Sequence, residues 1–467
     1  MPDYNYDIII AGGGPAGSSA AAHLAQMGYK VAVFEKEKFP RDHVGESLIP
    51  FCYGHLKKLG VLDQMKKIAV RKPGINFVSA DSEHRTTWCF ASTLKDPSQL
   101  SYHMLRSTFD KMLLDNSKLK GAAVFEEYKI VDVDLSSAEK AVVTVENKSG
   151  QREVHHSRFL IDATGQNTFL APKVGKKVSY PGLDRVALFS HWSGNKFDRA
   201  LQNGLIKIVY LGGEKIGWCW MIPVGKDLLS IGVTLNNSYV KQKKAEYSHY
   251  GAEWKTHLYE DEIRSSAEIQ SIISNGQRTH DVIVMGDYSY SLTKRYDTNF
   301  AIIGDAAAFL DPIFSSGIYV AFESAERTAI AIQKLFENST EEGLSSLENH
   351  YAHMDKSYRL LEKFIRLFYK PEVMNFALVG NPEKLMYYKF EAAYTIFHNL
   401  LAGDFFTNAD KYCDFIDDIE KNNWFQKYVT LAHSKELHFG PDACDETAYE
   451  VYGHMDESLL DLPQLVH

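Results

Sequence analysis

Gly12, Gly14 and Gly17 stand in the stretch "IIIAGGGPAGSSAAA", directly after an apolar run, and an acid, Glu35, closes the next such run. This spacing suits a pyrophosphate, which needs close backbone approach and a helix start whose amides have no internal acceptor. Gly12 allows the tight turn. Gly14, followed by Pro15 and Ala16, lets the phosphates come near, and Gly17 allows the helix to lie close on the strand. Glu35 places a carboxylate where the ribose hydroxyls of a dinucleotide would lie. A second anion-binding geometry occurs in "FLDPIFSSGIYVA" (309–321), where a helical pattern opens near Ser315–Gly317. The first amides of that helix have no intrahelical acceptor, and the helix dipole adds to their pull on an anion. Ser315 can serve there as an N-cap. In "AIIGDAAAF" (301–309) a buried run delivers Gly304 and Asp305 to a turn, where the carboxylate can bond a sugar-alcohol hydroxyl. Finally, "GWCWMIP" (217–223) sets Trp218 and Trp220 one residue apart and ends in Pro223. On a strand they share a face, which predicts one flat aromatic wall.

These residues need elements to hold them. "YDIII" reads as a buried parallel strand, the small-residue stretch after it as a helix stopped at Gly28, and "KVAVFEKE" as a second strand. Together they form a βαβ unit. Helical patterns follow near 47–58 and 106–118, and polar-spaced strands over 122–160. "RFLIDATG" (158–165) is another buried strand. Residues 185–234 read as successive antiparallel strands, and about 237–275 as a long polar helical stretch. Strand, turn and helix return over 299–336. Beyond about 340 the pattern is mostly helical, with a less periodic acidic tail from roughly 435. The fold class is therefore α/β: a doubly wound, Rossmann-like layer interrupted by a sheet-rich portion and followed by a helical C-terminal region.

Composition narrows the setting. The 467 residues are 45% hydrophobic and 24% charged, with a net charge of −9, which argues against a nucleic-acid partner. No apolar run is long enough to cross a membrane, and the N-terminus leads straight into a strand, so a cytoplasmic protein is expected. The five cysteines, at positions 52, 89, 219, 413 and 444, show no metal-ligand spacing, so reduced thiols and no metal site are expected.

The segment "AIIGDAAAF" and the stretch "LRSTFDKMLL" (105–114) resemble the flavin-dependent monooxygenase superfamily. That resemblance implies FAD, with Arg106 and Asp305 among its contacts. Within the superfamily, "FPRDHVGESLIP" (39–50), "GWCWMIP" and "FLDPIFSSG" resemble the flavin-dependent halogenases, phenol and pyrrole branch. Their Trp-x-Trp-x-Ile-Pro motif is matched by Trp218, Trp220, Ile222 and Pro223, and their Phe-x-x-Pro-x-x-Ser-x-Gly by Phe309, Pro312, Ser315 and Gly317. The likeness runs from residue 6 to about 330 and continues more weakly through "LLAGDFF" (400–406).

The resemblance implies a FAD-binding, monooxygenase-like module over residues 1–338, discontinuous, with a sheet-rich substrate portion at about 181–290. Residues 339–467 would be the helical C-terminal region. FAD, arriving as FADH2, would also meet Arg41, Ser47 and Gly317. Chloride or bromide would sit on the backbone of Ser316 and Gly317, and O2 would complete the co-substrates. Hypohalous acid would then pass to one lysine. Of Lys57, Lys58, Lys66, Lys67 and Lys72, the first four fall on solvated helical patterns, and Lys72 stands downstream of Glu46 where the family has its lysine. Either its ammonium polarises the acid or its amine forms a chloramine. Tryptophan halogenases carry a Glu just before the Ser of the halide loop, whereas Phe314 stands here. That departure favours a phenol, resorcinol or pyrrole, free or borne on a carrier protein. "IDATGQNTFLA" (161–171) lacks the hydroxylase signature near the NADPH site, which implies a separate flavin reductase. The alternative is a single-component aromatic hydroxylase or a related flavin oxidoreductase on the same fold.

Overall fold

The computed structural model describes residues 4–286, 289–379, 388–422 and Cys444. Its first layer is built on Tyr6–Ala11, with Val31–Glu35 parallel on one side and Arg152–Asp162 parallel on the other. Alternation along this strand feeds two cores. Ile8 and Ile10 join Ala20, Ala21, Leu24, Ala325 and Ala329, while Ile9 and Ala11 join the larger cluster on the opposite face. Burial on both faces is why the run is apolar without a break. The sheet extends through Ala123–Glu126 at one edge and through the antiparallel pair Lys140–Asn147 and Tyr128–Ser137 at the other. Phe300–Ile302 rejoins it parallel to Arg152–Asp162, with Ala301 opposite Ile161. This return carries Gly304 and Asp305 to the carboxyl ends of the strands, beside the first glycine turn, where open α/β sheets bind their ligands.

A second, eight-stranded sheet holds Gly217–Pro223 between Ile206–Leu211 and Leu228–Asn236, both antiparallel to it. Arg185–Ser193 follows Leu228–Asn236. The other side is not local. Ile206–Leu211 pairs in parallel with Gly74–Val78, which pairs with Arg85–Cys89, so two strands from far upstream complete this sheet. The short strand Val70–Lys72 pairs instead with Ser101–His103, and Pro73 separates it from the large sheet.

The helix Gly317–Glu337 packs on Pro15–Gln26 and on Thr340–Phe368. Thr340–Phe368 opens with a capping serine, Ser339, whose hydroxyl accepts the Glu342 N–H at 3.2 Å. Its far end carries Phe364 and Phe368 into an aromatic cluster with Phe314, Phe376 and Phe397. The expected helix near 47–58 forms over Cys52–Leu59. The tail from roughly 435 lies outside the described residues apart from Cys444. That residue corrects one expectation: Cys89 and Cys444 form a disulfide, their Cα atoms 5.8 Å apart across a separation of 355 residues. No sequence spacing could reveal this pairing, because only the folded chain brings the two together. Cys52, Cys219 and Cys413 are free and buried. Among the described residues, no helix is long and apolar enough to cross a membrane.

Candidate active site

The three glycines have different reasons to be glycine. Gly12 has φ +99°, and a Cβ there would lie 2.5 Å from the Ala163 carbonyl oxygen. At Gly17 a Cβ would meet the Gly12 carbonyl oxygen at 2.0 Å, so the helix could not sit on the turn. Gly14 is different: its hypothetical Cβ meets nothing nearer than Arg41 Nη2 at 3.6 Å. The chain leaves room there, in front of the helix that starts at Pro15, for a phosphate to occupy. Glu35 is buried, and its carboxylate accepts the Gly13 N–H at 2.7 Å and the Glu37 N–H at 2.9 Å, which fixes it at the strand end.

A cavity of about 740 Å³ opens from this turn. Its wall brings together Gly12, Gly14, Pro15, Ala16, Glu35, Arg41, Ser47, Arg106, Asp305 and Gly317. It also includes Trp218, Trp220, Ile222, Phe309, Pro312, Ser315 and Ser316. Gly17 lies beneath the turn, while Pro223 and Lys72 stand off the wall. Arg106 is buried, so it is no surface ion pair. Its guanidinium clasps Asp110 through Nε at 2.7 Å and Nη2 at 2.9 Å, and Arg41 reaches the same carboxylate at 3.4 Å. Two cations around one acid leave positive charge for a pyrophosphate. Loss of water raises the Asp305 carboxyl to about 6, against the pull of Arg106. Glycines with open space, an acid at the ribose position and paired arginines fit FAD.

Across the cavity, Pro312–Phe314 forms one tight turn whose first amide, Ile313 N–H, is accepted by Asp311 Oδ1 at 3.1 Å. Ser315 follows with φ +54°, its own N–H on the Pro312 carbonyl. The helix N-cap is then Ser316, not Ser315, and its hydroxyl makes no capping bond. Ser315 instead supplies the left-handed step that closes the turn. The first bond back into the helix runs from Val320 N–H to Ser316 O, so the preceding amides have no acceptor within the helix. A Cβ at Gly317 would find nothing closer than Asp305 Oδ1 at 4.0 Å, so this helix start is also open.

The two indoles share a face and both are buried, but they do not make a flat wall. Their rings lie 5.4 Å apart and tilt by 44°. The reason is that each N–H has its own partner. Trp220 lies across the neighbouring strand, where a Cβ on its cross-strand partner Gly232 would sit 2.1 Å from the ring, and it donates to Ser230 Oγ at 3.2 Å. Trp218 turns the other way and donates to Tyr369 Oη at 3.0 Å.

Lys72 is only 1% exposed, whereas Lys57, Lys58, Lys66 and Lys67 are exposed on helices. Its Nζ donates to Ser47 Oγ and to Leu48 O, each at 2.8 Å, and lies 5.6 Å from the centre of the Phe90 ring. Burial, with no carboxylate partner among the described residues, lowers this amine from 10.5 to about 7. Ser47 thus has two neighbours: the cavity on one side and Lys72 on the other.

A sequence profile described as tryptophan halogenase matches residues 7–100 and 85–373. The chain belongs to the tryptophan halogenase family. The halogenase is 28% identical to the 1H-pyrrole-2-carbonyl-[peptidyl-carrier protein] chlorinase of Pseudomonas fluorescens, over 92% of this chain and 97% of that one. It is likewise 28% identical to the tryptophan 2-halogenase of Chondromyces crocatus, over 70% of this chain and 61% of that one. In structure it resembles a triple variant of the flavin-dependent brominase Bmp2, with TM-score 0.75 and 25% identity over 90% of this chain and all of that chain. This is a flavin-dependent enzyme: it uses FAD in its reduced form, with halide and O2.

Beside the halogenase cavity stand two histidines that sequence reasoning did not single out. Glu46, on the cavity wall, holds His191 Nε2 at 2.7 Å, and His280 stands against His191 with ring centres 4.7 Å apart. The Glu46 carboxylate raises His191 against the opposing effect of its burial. A histidine inside the apolar run "VALFSHW" was the available signal. Phe314 is 1% exposed and stacks on Phe364 with centroids 3.8 Å apart, so an aromatic core fills the position.

Proposed function

We propose that this halogenase makes hypohalous acid at the amides of Ser316 and Gly317 and passes it by way of Lys72 to an electron-rich phenol, resorcinol or pyrrole. The supporting observation is the Lys72 amine, buried without a counter-ion among the described residues and hydrogen-bonded to a serine on the cavity wall. Bound reduced FAD would supply the activation of O2 that converts halide to hypohalous acid. Gly14, Arg41, Arg106 and Asp305 would hold it, and Glu35 would take the ribose. The open helix start would strip the halide of part of its water and replace it with N–H donors. Trp218, Trp220 and Ile222 would close the space so that the ring stays away from the flavin while the small oxidant passes. Lys72 would then orient or carry the halogen. A phenol gives up its own proton, so no carboxylate is needed at position 314. Chloride and bromide both suit such an amide site, and a separate cytoplasmic reductase would supply FADH2. The end-to-end match to a chlorinase named for a carrier-bound pyrrole supports a ring delivered on a carrier protein.

A panel of free and carrier-borne phenols and pyrroles, with free tryptophan alongside, tests the substrate class by mass spectrometry. Halogenated phenol or pyrrole and no useful turnover of tryptophan are expected. Efficient formation of a chlorotryptophan would show that Phe314 does not carry the meaning given to it.

A further inference from the structure

Behind the cavity wall one hydroxyl joins the two motifs. Tyr369 follows the helix Thr340–Phe368, and it does not line the cavity itself. Its Oη accepts the Trp218 Nε1–H at 3.0 Å and donates to Asp311 Oδ2 at 2.6 Å. Asp311 is fully buried, and its other oxygen accepts the Ile313 N–H at the base of the turn leading to Ser316 and Gly317. The guanidinium of Arg185, itself buried, lies 4.3 Å from the centre of the Tyr369 ring. A buried carboxylate a few residues from an anion site works against that site unless donors hold its charge. Here Ile313 holds one oxygen and Tyr369 the other, the Trp218 indole N–H also reaches this carboxylate, and Arg185 faces it from the start of Arg185–Ser193.

We propose that Tyr369 is a positioning residue for halide binding. Its hydroxyl draws the Asp311 charge away from the halide loop and, by the same oxygen, fixes Trp218 in the wall. The inference rests on the halide being held at Ser316 and Gly317. Tyr369→Phe deletes one oxygen and keeps the ring, so the fold and the contact with Arg185 remain. The half-saturating chloride concentration for product formation is expected to rise about tenfold, and that for bromide similarly, as the buried Asp311 carboxylate loses its hydroxyl donor and keeps only the weaker hold of the Trp218 indole on that side. The rate at saturating halide and the affinity for FAD should stay near wild type. Adding Asp311→Asn to Tyr369→Phe removes the charge and is expected to bring the halide requirement back toward wild type. Asp311→Asn alone should need no more halide than wild type.

An unchanged halide requirement in Tyr369→Phe would overturn the inference, as would FAD affinity falling in step with it, or failure of the double variant to recover. If Tyr369→Phe did not fold, a raised halide requirement in Asp311→Asn alone would overturn it instead. Ser316→Pro separates the two levels. If its halide requirement is also normal, the halide assignment itself has failed; if it is raised while Tyr369→Phe is normal, only the role of Tyr369 has.

Discussion

Lys72→Ala is expected to oxidise supplied FADH2 at a near-normal rate in the presence of chloride and to give almost no halogenated ring, a loss of about a hundredfold or more. The expectation follows from separation. Among the described residues Lys72 is off the cavity wall and touches it through Ser47, so in the proposed scheme it serves a step after the oxidant has formed. Lys72→Arg should be nearly as impaired: it keeps a charge, but its planar fork cannot replace a compact amine donating to Ser47 Oγ and Leu48 O. The two possible modes of action differ in pH dependence. Burial disfavours the charged form and brings the amine down to about 7, so the uncharged fraction grows as pH rises through 7. If the amine takes up the halogen, product per FADH2 oxidised rises between about pH 6 and pH 8; if the ammonium polarises the acid, it falls. Liquid chromatography with mass spectrometry, run beside the flavin absorbance, reads both quantities. Parallel loss of flavin oxidation and halogenation in Lys72→Ala would move this residue into the flavin site or the fold, and full halogenation would remove it from the relay.

Ser316→Pro is expected to raise the halide requirement by at least about tenfold while FAD still binds, because it deletes one N–H donor from the helix start. Ser316 has φ −79°, which proline accepts. Ser315 before it is left-handed, a conformation less at home before proline, so Gly317→Ala provides an independent variant. A Cβ at Gly317 would meet only Asp305 Oδ1, at an unstrained 4.0 Å, so the fold should tolerate the methyl while the halide and flavin lose the space it fills. Titrating product formation with chloride checks both variants. Wild-type halide dependence in a flavin-loaded Ser316→Pro would place the halide elsewhere.

Much of this site was readable where the signal was local. The glycine turn, the strand Gly217–Pro223 and the helix start after Pro312 each lie within a few residues of the features that specify them. What was not readable comes from distance. Nothing local in "VRK" signals burial, yet pairing with Ser101–His103 beneath Ser47 buries Lys72. The parallel joint between Ile206 and Ile75 has no turn to announce it. The tilt of the two indoles depends on Gly232 in the next strand and on Tyr369 beyond the end of a long helix. The cysteine reading failed for the same reason, since Cys89 meets a residue from the far end of the chain. Period and motif located the candidate residues; the partners that orient them were supplied by tertiary contact.

In the proposed scheme oxidant formation and ring halogenation are separate steps joined through Lys72. The most direct measurement is a single turnover in which enzyme, FADH2, O2 and chloride react first and the phenol or pyrrole is added only after flavin oxidation is complete. On this scheme, chlorinated ring is expected from the wild type and none from Lys72→Ala. Product only when the ring is present during flavin oxidation, or a hydroxylated ring formed without halide, would contradict it.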